Sequence, residues 1–215
     1  MMEVLVKTGL AYLMGSVLGA LLVGKLFGGV DIRKVGSGNA GGTNALRTQG
    51  FLFALLVVVV DVGKGALAVA WLPGLAIPGV VPSGWSQVQL ACICGAAAVV
   101  GHVFPIYFSF KGGKGVATLV GAVAALSIKA ALIALLCFVV LLLLSGFVGL
   151  SSIVATGSLA VFAWLNFGLN SSWFAFGLGM FLFVLFTHRS NIARMLNGTE
   201  DRKRSIMVFH RWLGS

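Results

Sequence analysis

Between Val116 and Phe186 the chain carries a single charged side chain, Lys129. Apolar runs of this length are continuous, not alternating, which marks helices that satisfy their own backbone in lipid and argues against the strands of a β-barrel. The rest of the sequence has the same character: 59% of its 215 residues are hydrophobic, 9% are charged, and the mean hydropathy is +1.06. A water-facing domain carries about 25% charged residues. This chain has too few to cover a soluble surface, so the bilayer is part of its solvent. The expected fold is all-α, a polytopic membrane protein of about seven transmembrane helices with glycine-rich loops. It reads as one integral-membrane domain over residues 1–215, with a basic tail at 188–215.

The net charge of +10 would suit nucleic acid, but no basic run with interleaved aromatics lies outside the apolar segments. Nucleic acid is therefore not an expected partner. The excess of Lys and Arg matches the bias of cytoplasmic loops in membrane proteins. Cys92, Cys94 and Cys137 lie inside apolar runs. An odd count in such places is no disulfide framework, and these read as small packing residues.

Residues 4–27 form the first predicted span. They are long enough to cross and lack the basic start and small-residue cleavage site of a signal peptide. A polar, glycine-rich loop fills 28–50. Residues 51–72 form a second span, interrupted at Asp61-Val62-Gly63-Lys64-Gly65, and 73–87 is an uncharged loop with three prolines. Span three, 88–100, is short unless it extends toward His102. Residues 116–126 and 130–144 are either two short spans or one long bent one. A small-residue break at 145–152 precedes spans at 153–166 and 173–186, with Trp164, Trp173 and Phe174 where an aromatic belt would lie. Parity decides the ambiguous stretch. The basic loops and the tail, with Arg189, Arg194, Arg202, Lys203, Arg204 and Arg211, belong on one side, which needs an even number of crossings after the second basic loop. Four crossings give seven spans, the N-terminus and Lys129 outside and the C-terminus inside.

With that threading, residues 36–47, 102–118, 145–152 and 188–204 face the same side. Gly112, Gly113 and Gly115 interleave with Lys111 and Lys114. Glycine allows backbone N–H groups close approach to an anion, and lysine adds positive charge, so the stretch suits phosphate. The alternative is that these glycines only let helices pack closely. Neither Gly63-Lys64 nor Gly113-Lys114 belongs to a Walker A loop, because Lys64 and Lys114 are each followed by glycine instead of Ser or Thr. Asp61 and Lys64 share a helix face inside an apolar run. They pair with each other or with the loops, contact a ligand, or form a transporter relay. His102 reads as structural or catalytic. His188 and Asn191 share a face if the last helix continues to Arg194, and a donor/acceptor pair there suits a hydroxyl. Glu200 would anchor the tail through nearby arginines, and His210 reads as a surface residue.

Three ordered motifs then become recognisable. They are Gly36-Ser37-Gly38-Asn39 with Thr43, Asn44 and Arg47; Gly101-His102 with Phe104-Pro105 and Phe110-Lys111-Gly112-Gly113-Lys114-Gly115-Val116-Ala117-Thr118; and His188-Arg189-Ser190-Asn191-Ile192 with Arg194 and Gly198-Thr199-Glu200. Together they resemble the motifs of the bacterial integral-membrane acyl-phosphate:glycerol-3-phosphate acyltransferases, and Asp61 to Gly65 resembles that family's second helix. The resemblance implies seven spans in the bacterial inner membrane, with the active site facing the cytoplasm. It implies attack of the 1-hydroxyl of sn-glycerol 3-phosphate on an acyl phosphate, giving lysophosphatidic acid and phosphate. By the same resemblance, Ser37, Arg47, Lys111, Lys114, His188 and Asn191 bind substrates or act in catalysis. Gly36, Gly38, Asn39, Thr43, Asn44, Gly112, Gly113 and Gly115 line the phosphate site. Asp61, Lys64, His102, Ser151, Ser152 and Glu200 support it. Ala40, Gly42, Gly146 and Gly149 depart from the family pattern, and the last two limit any substrate role at 145–152 to Ser151 and Ser152.

This chemistry is sensible for the composition. An acyl phosphate is already activated, so no cofactor and no metal is expected. Two phosphate-bearing reactants explain the excess of cations. The proton of the attacking hydroxyl goes to His188 or to the acyl phosphate itself. No histidine is followed five residues on by Asp, as the soluble glycerolipid acyltransferase mechanism would need. The expected partners are the two substrates and the lipid bilayer, and an enzyme supplying acyl phosphate is a candidate. The alternative function is a membrane transporter for a small organic phosphate, suggested by the charges of Asp61 and Lys64 within a span.

Overall fold

The computed structural model describes residues 1–204, 207 and 208; His210 and Arg211 of the tail lie outside them. The described residues are helical with no strand, and they fall into two compact units, Met1–Ser127 and Ile128–Ser215. Among them four helices are long and apolar enough to cross a membrane, or up to six if each bent helix pair is one span. Val116–Leu126, with 11 residues, is shorter, about 16 Å at 1.5 Å per residue against a hydrocarbon core of about 30 Å. The chain is an all-α integral membrane protein.

The first unit holds α1 (Met2–Gly15), α2 (Gly19–Leu26), α3 (Gly42–Gln49), α4 (Phe51–Ala70), α5 (Gln87–Val103) and α6 (Val116–Leu126). Where the apolar pattern predicts one span over 4–27, the chain breaks after Gly15 and bends by 42° into α2. The predicted interruption of the second span does not occur, since α4 runs unbroken through Asp61 and Lys64. α5 starts at a capping box of Ser86 and Gln89, reaches beyond His102, and stops just before Pro105, which cannot continue a helix. α4 packs against α6 where two backbones nearly touch: a Cβ on Gly65 would run into the Thr118 carbonyl, and one on Gly121 into the Val62 carbonyl. In lipid such close contact supplies the dispersion energy that the hydrophobic effect does not. At the far end of α1, buried Lys7 donates to Glu3 Oε1 at 2.7 Å and to the Pro73 carbonyl at 2.6 Å, while Glu3 Oε2 accepts from the Ser83 N–H at 2.6 Å. The proline-marked loop is thereby tied to α1.

The second unit holds α7 (Ile128–Ser145), α8 (Val148–Phe167), α9 (Ser172–Thr187) and α10 (Arg189–Leu196). α8 packs against both α7 and α9, and along α7 only Ala130 is buried, as befits a helix facing lipid. The predicted break at 145–152 is narrower than expected, because Ser151 and Ser152 already lie in α8. Trp173 does not join an aromatic belt. It is buried and stacks on Phe167 with ring centroids 5.5 Å apart. The tail folds back onto this unit, where Arg202 Nε donates to the Ser145 carbonyl at 2.8 Å and the Lys203 N–H to the Gly146 carbonyl at 2.8 Å.

Candidate functional site

The loop between α2 and α4 is less open than its glycines suggest, because it contains α3. Its organiser is Asn44, buried in the first turn of α3. The Asn44 Nδ2 group donates to the carbonyls of Ile32 (2.9 Å), Val35 (3.1 Å) and Asn39 (3.0 Å), and Oδ1 accepts the Ser37 N–H at 2.9 Å. Gly36 has φ of +59°, and a Cβ there would collide with Asn44 Oδ1, so the turn requires glycine. The loop is thus coiled around one amide, with Ser37, Thr43 and Arg47 exposed on its outside. Asp31 caps the short turn Ile32–Lys34 and grips Arg33 through both oxygens, at 3.0 and 2.9 Å. Hydrogen bonding to Arg33 holds the Asp31 carboxyl below its usual pKa.

The second basic loop follows α5. The sequence suggests that its glycine N–H groups turn toward an anion, but the structure uses two of them elsewhere. The Gly112 N–H donates to the Val103 carbonyl and the Gly113 N–H to the His102 carbonyl, each at 3.1 Å. A Cβ on Gly112 would meet the His102 carbonyl, and one on Gly113 the His102 ring. Gly112 and Gly113 therefore dock the loop onto the end of α5. Lys111 is exposed, and Gly115 caps the N-terminus of α6 in the left-handed region. The two loops meet at Arg33, whose Nη1 donates to the Lys111 carbonyl at 3.2 Å and whose guanidinium lies 5.7 Å from the Phe108 ring centroid. Sequence reasoning passed over Arg33 as a linking residue; its only signal is the Asp31-x-Arg33 spacing.

Behind these loops sits a buried polar cluster. Lys64 Nζ lies 2.9 Å from Asp61 Oδ1, 2.6 Å from the Val17 carbonyl and 2.9 Å from His102 Nδ1. Asp61 Oδ1 also accepts the Gly19 N–H at 3.1 Å. Of the readings left open for Asp61 and Lys64, the geometry gives internal pairing. The pair also serves backbone groups at the α1–α2 break, which lipid cannot satisfy. With every Lys64 proton engaged, a relay for transport gains no support.

In the second unit, α9 does not continue to Arg194. It bends by 56° into α10, with His188 at the joint. His188 and Asn191 therefore sit one turn apart as the cap and third residue of α10. His188 Nδ1 lies 2.9 Å from the Val184 carbonyl. A carbonyl only accepts, so Nδ1 carries a proton. Asn191 Nδ2 donates to Glu200 Oε1 at 2.6 Å, and Arg194 Nε to Glu200 Oε2 at 2.6 Å. Glu200 thus anchors the turn after α10, as expected, and also orients Asn191. Gly149 on α8 faces Asn191, where a Cβ would lie 3.1 to 3.2 Å from its side-chain atoms. The hydroxyls of Ser151 and Ser152 donate to the Phe147 and Val148 carbonyls of their own helix, both at 2.9 Å. Among the described residues no group of three His, Cys, Asp or Glu is placed to hold a metal ion.

Comparison with known proteins fits this arrangement. Residues 5–198 match the family model described as glycerol-3-phosphate acyltransferase. The chain is 41% identical to the glycerol-3-phosphate acyltransferase of Salinibacter ruber, covering 95% of this chain and 94% of that one. It is 41% identical to that of a Synechococcus strain, with 92% and 94% covered. A crystal structure of PlsY (YgiH), an integral membrane glycerol 3-phosphate acyltransferase in its glycerol 3-phosphate form, superposes with a TM-score of 0.78 at 33% identity, covering 99% of each chain. The lysophosphatidic acid form of PlsY gives 0.77, covering 93% of this chain and 94% of that one. From its matched length and its relatives, this chain is a member of the glycerol-3-phosphate acyltransferase family.

Proposed function

We propose that the protein transfers an acyl chain from acyl phosphate to the 1-hydroxyl of sn-glycerol 3-phosphate in the bacterial inner membrane, with its basic loops on the cytoplasmic side of a seven-span domain. The hydroxyl oxygen attacks the acyl carbonyl carbon, and a new C–O ester bond forms as the bond to the phosphate oxygen breaks. The products are lysophosphatidic acid and inorganic phosphate. An enzyme that makes acyl phosphate is the natural supplier.

The observation that carries this reading is the junction of the two basic loops at Arg33 and Lys111. In residues 28–50 and 104–115 the cations are Arg33, Lys34, Arg47, Lys111 and Lys114, and the only carboxylate is Asp31, already held by Arg33. That excess suits a dianionic phosphate. Each loop also leads into a helix N-terminus, that of α3 or α6, where N–H groups have no intrahelical partner and the dipole favours an anion. We assign phosphate contacts to Ser37, Arg47, Lys111 and Lys114, with Gly36, Gly38, Asn39, Thr43 and Gly115 shaping the approach. Asn44, Gly112 and Gly113 act by holding the loops. In the second unit, Nε2 of His188 is the basic nitrogen for the hydroxyl proton, and Asn191, oriented by Glu200, is the hydrogen-bonding group. Acyl phosphate oxygen is the other acceptor for that proton, and substitution of His188 separates the two.

The test supplies purified protein with labelled glycerol 3-phosphate and either palmitoyl phosphate or palmitoyl-CoA. Lysophosphatidic acid is expected from palmitoyl phosphate alone. Folded protein that makes none from palmitoyl phosphate overturns the proposal.

A further inference from the structure

Asp61, Lys64 and His102 are 0%, 6% and 2% exposed, yet no step of the proposed reaction uses them. An ammonium has three protons, and Lys64 has three acceptors within 2.6 to 2.9 Å: the Val17 carbonyl, Asp61 Oδ1 and His102 Nδ1. His102 Nδ1 must then accept, so the proton of this imidazole sits on Nε2. Nε2 is the ring atom against which Gly113 packs, and a Cβ at that position would overlap it. The His102 carbonyl in turn accepts the Gly113 N–H. The Lys111–Lys114 loop is therefore held by His102 at two points, backbone and ring. The ring's orientation is set by Lys64, and Lys64 is held by Asp61 and by the carbonyl at the α1–α2 break.

We propose that Asp61, Lys64 and His102 are positioning residues that set the height and angle at which Lys111 and Lys114 are presented to a phosphate-bearing substrate. The cluster touches no substrate and acts through Gly113. It explains why a charged pair stands inside a span, where unpaired charge is costly, and why glycine is needed at 113 although its φ is ordinary. The reading rests on the acyltransferase assignment above for what the loop binds, but the mechanical coupling does not.

The test uses the full chain in detergent, comparing wild type with His102→Asn, His102→Ala, Lys64→Met, Gly113→Ala and the His102→Ala/Gly113→Ala double variant. Asn at 102 keeps an acceptor near the Nδ1 position for Lys64 and loses the ring edge beneath Gly113, so it is the variant most compatible with folding. Size-exclusion elution selects the variants that fold. In those, KM for glycerol 3-phosphate is expected to rise about tenfold, the equivalent of one lost hydrogen bond, with kcat within about twofold. The double variant should be no worse than the worse single, because both changes displace the same loop. A second readout needs no activity: tryptic cleavage after Lys111 and Lys114 should accelerate about tenfold in the variants, while cleavage after Lys203 keeps its wild-type rate. Faster cleavage with an inactive wild type would sink the acyltransferase reading and leave the positioning role standing. Unchanged cleavage and KM in folded His102→Asn and Gly113→Ala, with an active wild type, would overturn the positioning role, as would additive effects in the double variant.

Discussion

Asn44→Asp is the sharpest single-atom perturbation of the site. It exchanges Nδ2 for an oxygen and leaves the shape unchanged. Oδ1 can still accept from the Ser37 N–H, but the bonds to the carbonyls of Ile32, Val35 and Asn39 are lost. Nδ2 has two protons shared among the three carbonyls, so at about 1 kcal/mol net per hydrogen bond the loss is about 2 kcal/mol, and placing a carboxylate against three carbonyl oxygens raises it to about 3 kcal/mol. This energy is local. It loosens the 32–44 turn and not the helix packing, so the loop opens while the spans stay assembled. If Ser37 and Arg47 must be held in place, an opening cost lowered by about 3 kcal/mol reduces kcat/KM by about a hundredfold. The assay is the initial rate of lysophosphatidic acid formation over a range of glycerol 3-phosphate concentrations, paired with thermal unfolding in detergent. Asn44→Asp protein with wild-type kcat/KM and wild-type folding would refute the claim that this amide organises the loop.

Ser37→Ala and Arg47→Ala should each lose most activity while the protein still inserts and elutes normally, and full activity in both would remove them from the site. Asp31 is held below its usual pKa by Arg33, so its contribution to stability is present above the ordinary value near 3.8 and is lost as pH falls through the lowered pKa. The Tm difference between wild type and Asp31→Asn should therefore be largest near pH 6 and shrink as pH falls below about 4; a constant difference would contradict the pairing. Gly121→Val forces a branched side chain into the Val62 carbonyl and should cost about 1–3 kcal/mol or more. It should be seen as a lower Tm or loss of monodisperse protein, and Gly63→Ala, with nothing within 4 Å of its Cβ, should be silent.

The class and the basic loops were legible because they depend on residue type alone. Hydropathy and the scarcity of charge require helices in lipid, and Lys and Arg mark the stretches that lie outside the apolar runs. The motifs at 36–47, 102–118 and 188–200 were legible for the same reason, since the spacing of glycine, lysine and histidine is a property of the sequence itself. Other features were invisible because they involve residues far apart in sequence. Nothing near Lys64 announces that its partners are Val17 and His102, and nothing near Gly112 and Gly113 announces that their N–H groups belong to the end of α5. The Lys64 bonds span 47 and 38 residues and the glycine bonds fold a loop back on the helix before it, and apolar periodicity carries no trace of either. The bend after Gly15 was likewise hidden, because that run is apolar enough to continue and only the groups receiving the freed backbone atoms make the break tolerable.

What the sequence determined alone is the solvent and the family: a lipid-embedded helical chain carrying the ordered motifs of the glycerol-3-phosphate acyltransferases. What the tertiary structure decided is that Gly112 and Gly113 serve packing and that Asp61 and Lys64 pair internally. Composition sets the free energy of transfer into lipid, residue by residue. Hydrogen-bond satisfaction is a property of pairs, and only the folded chain brings Asp61, Lys64 and His102 close enough beneath Gly113 to make one.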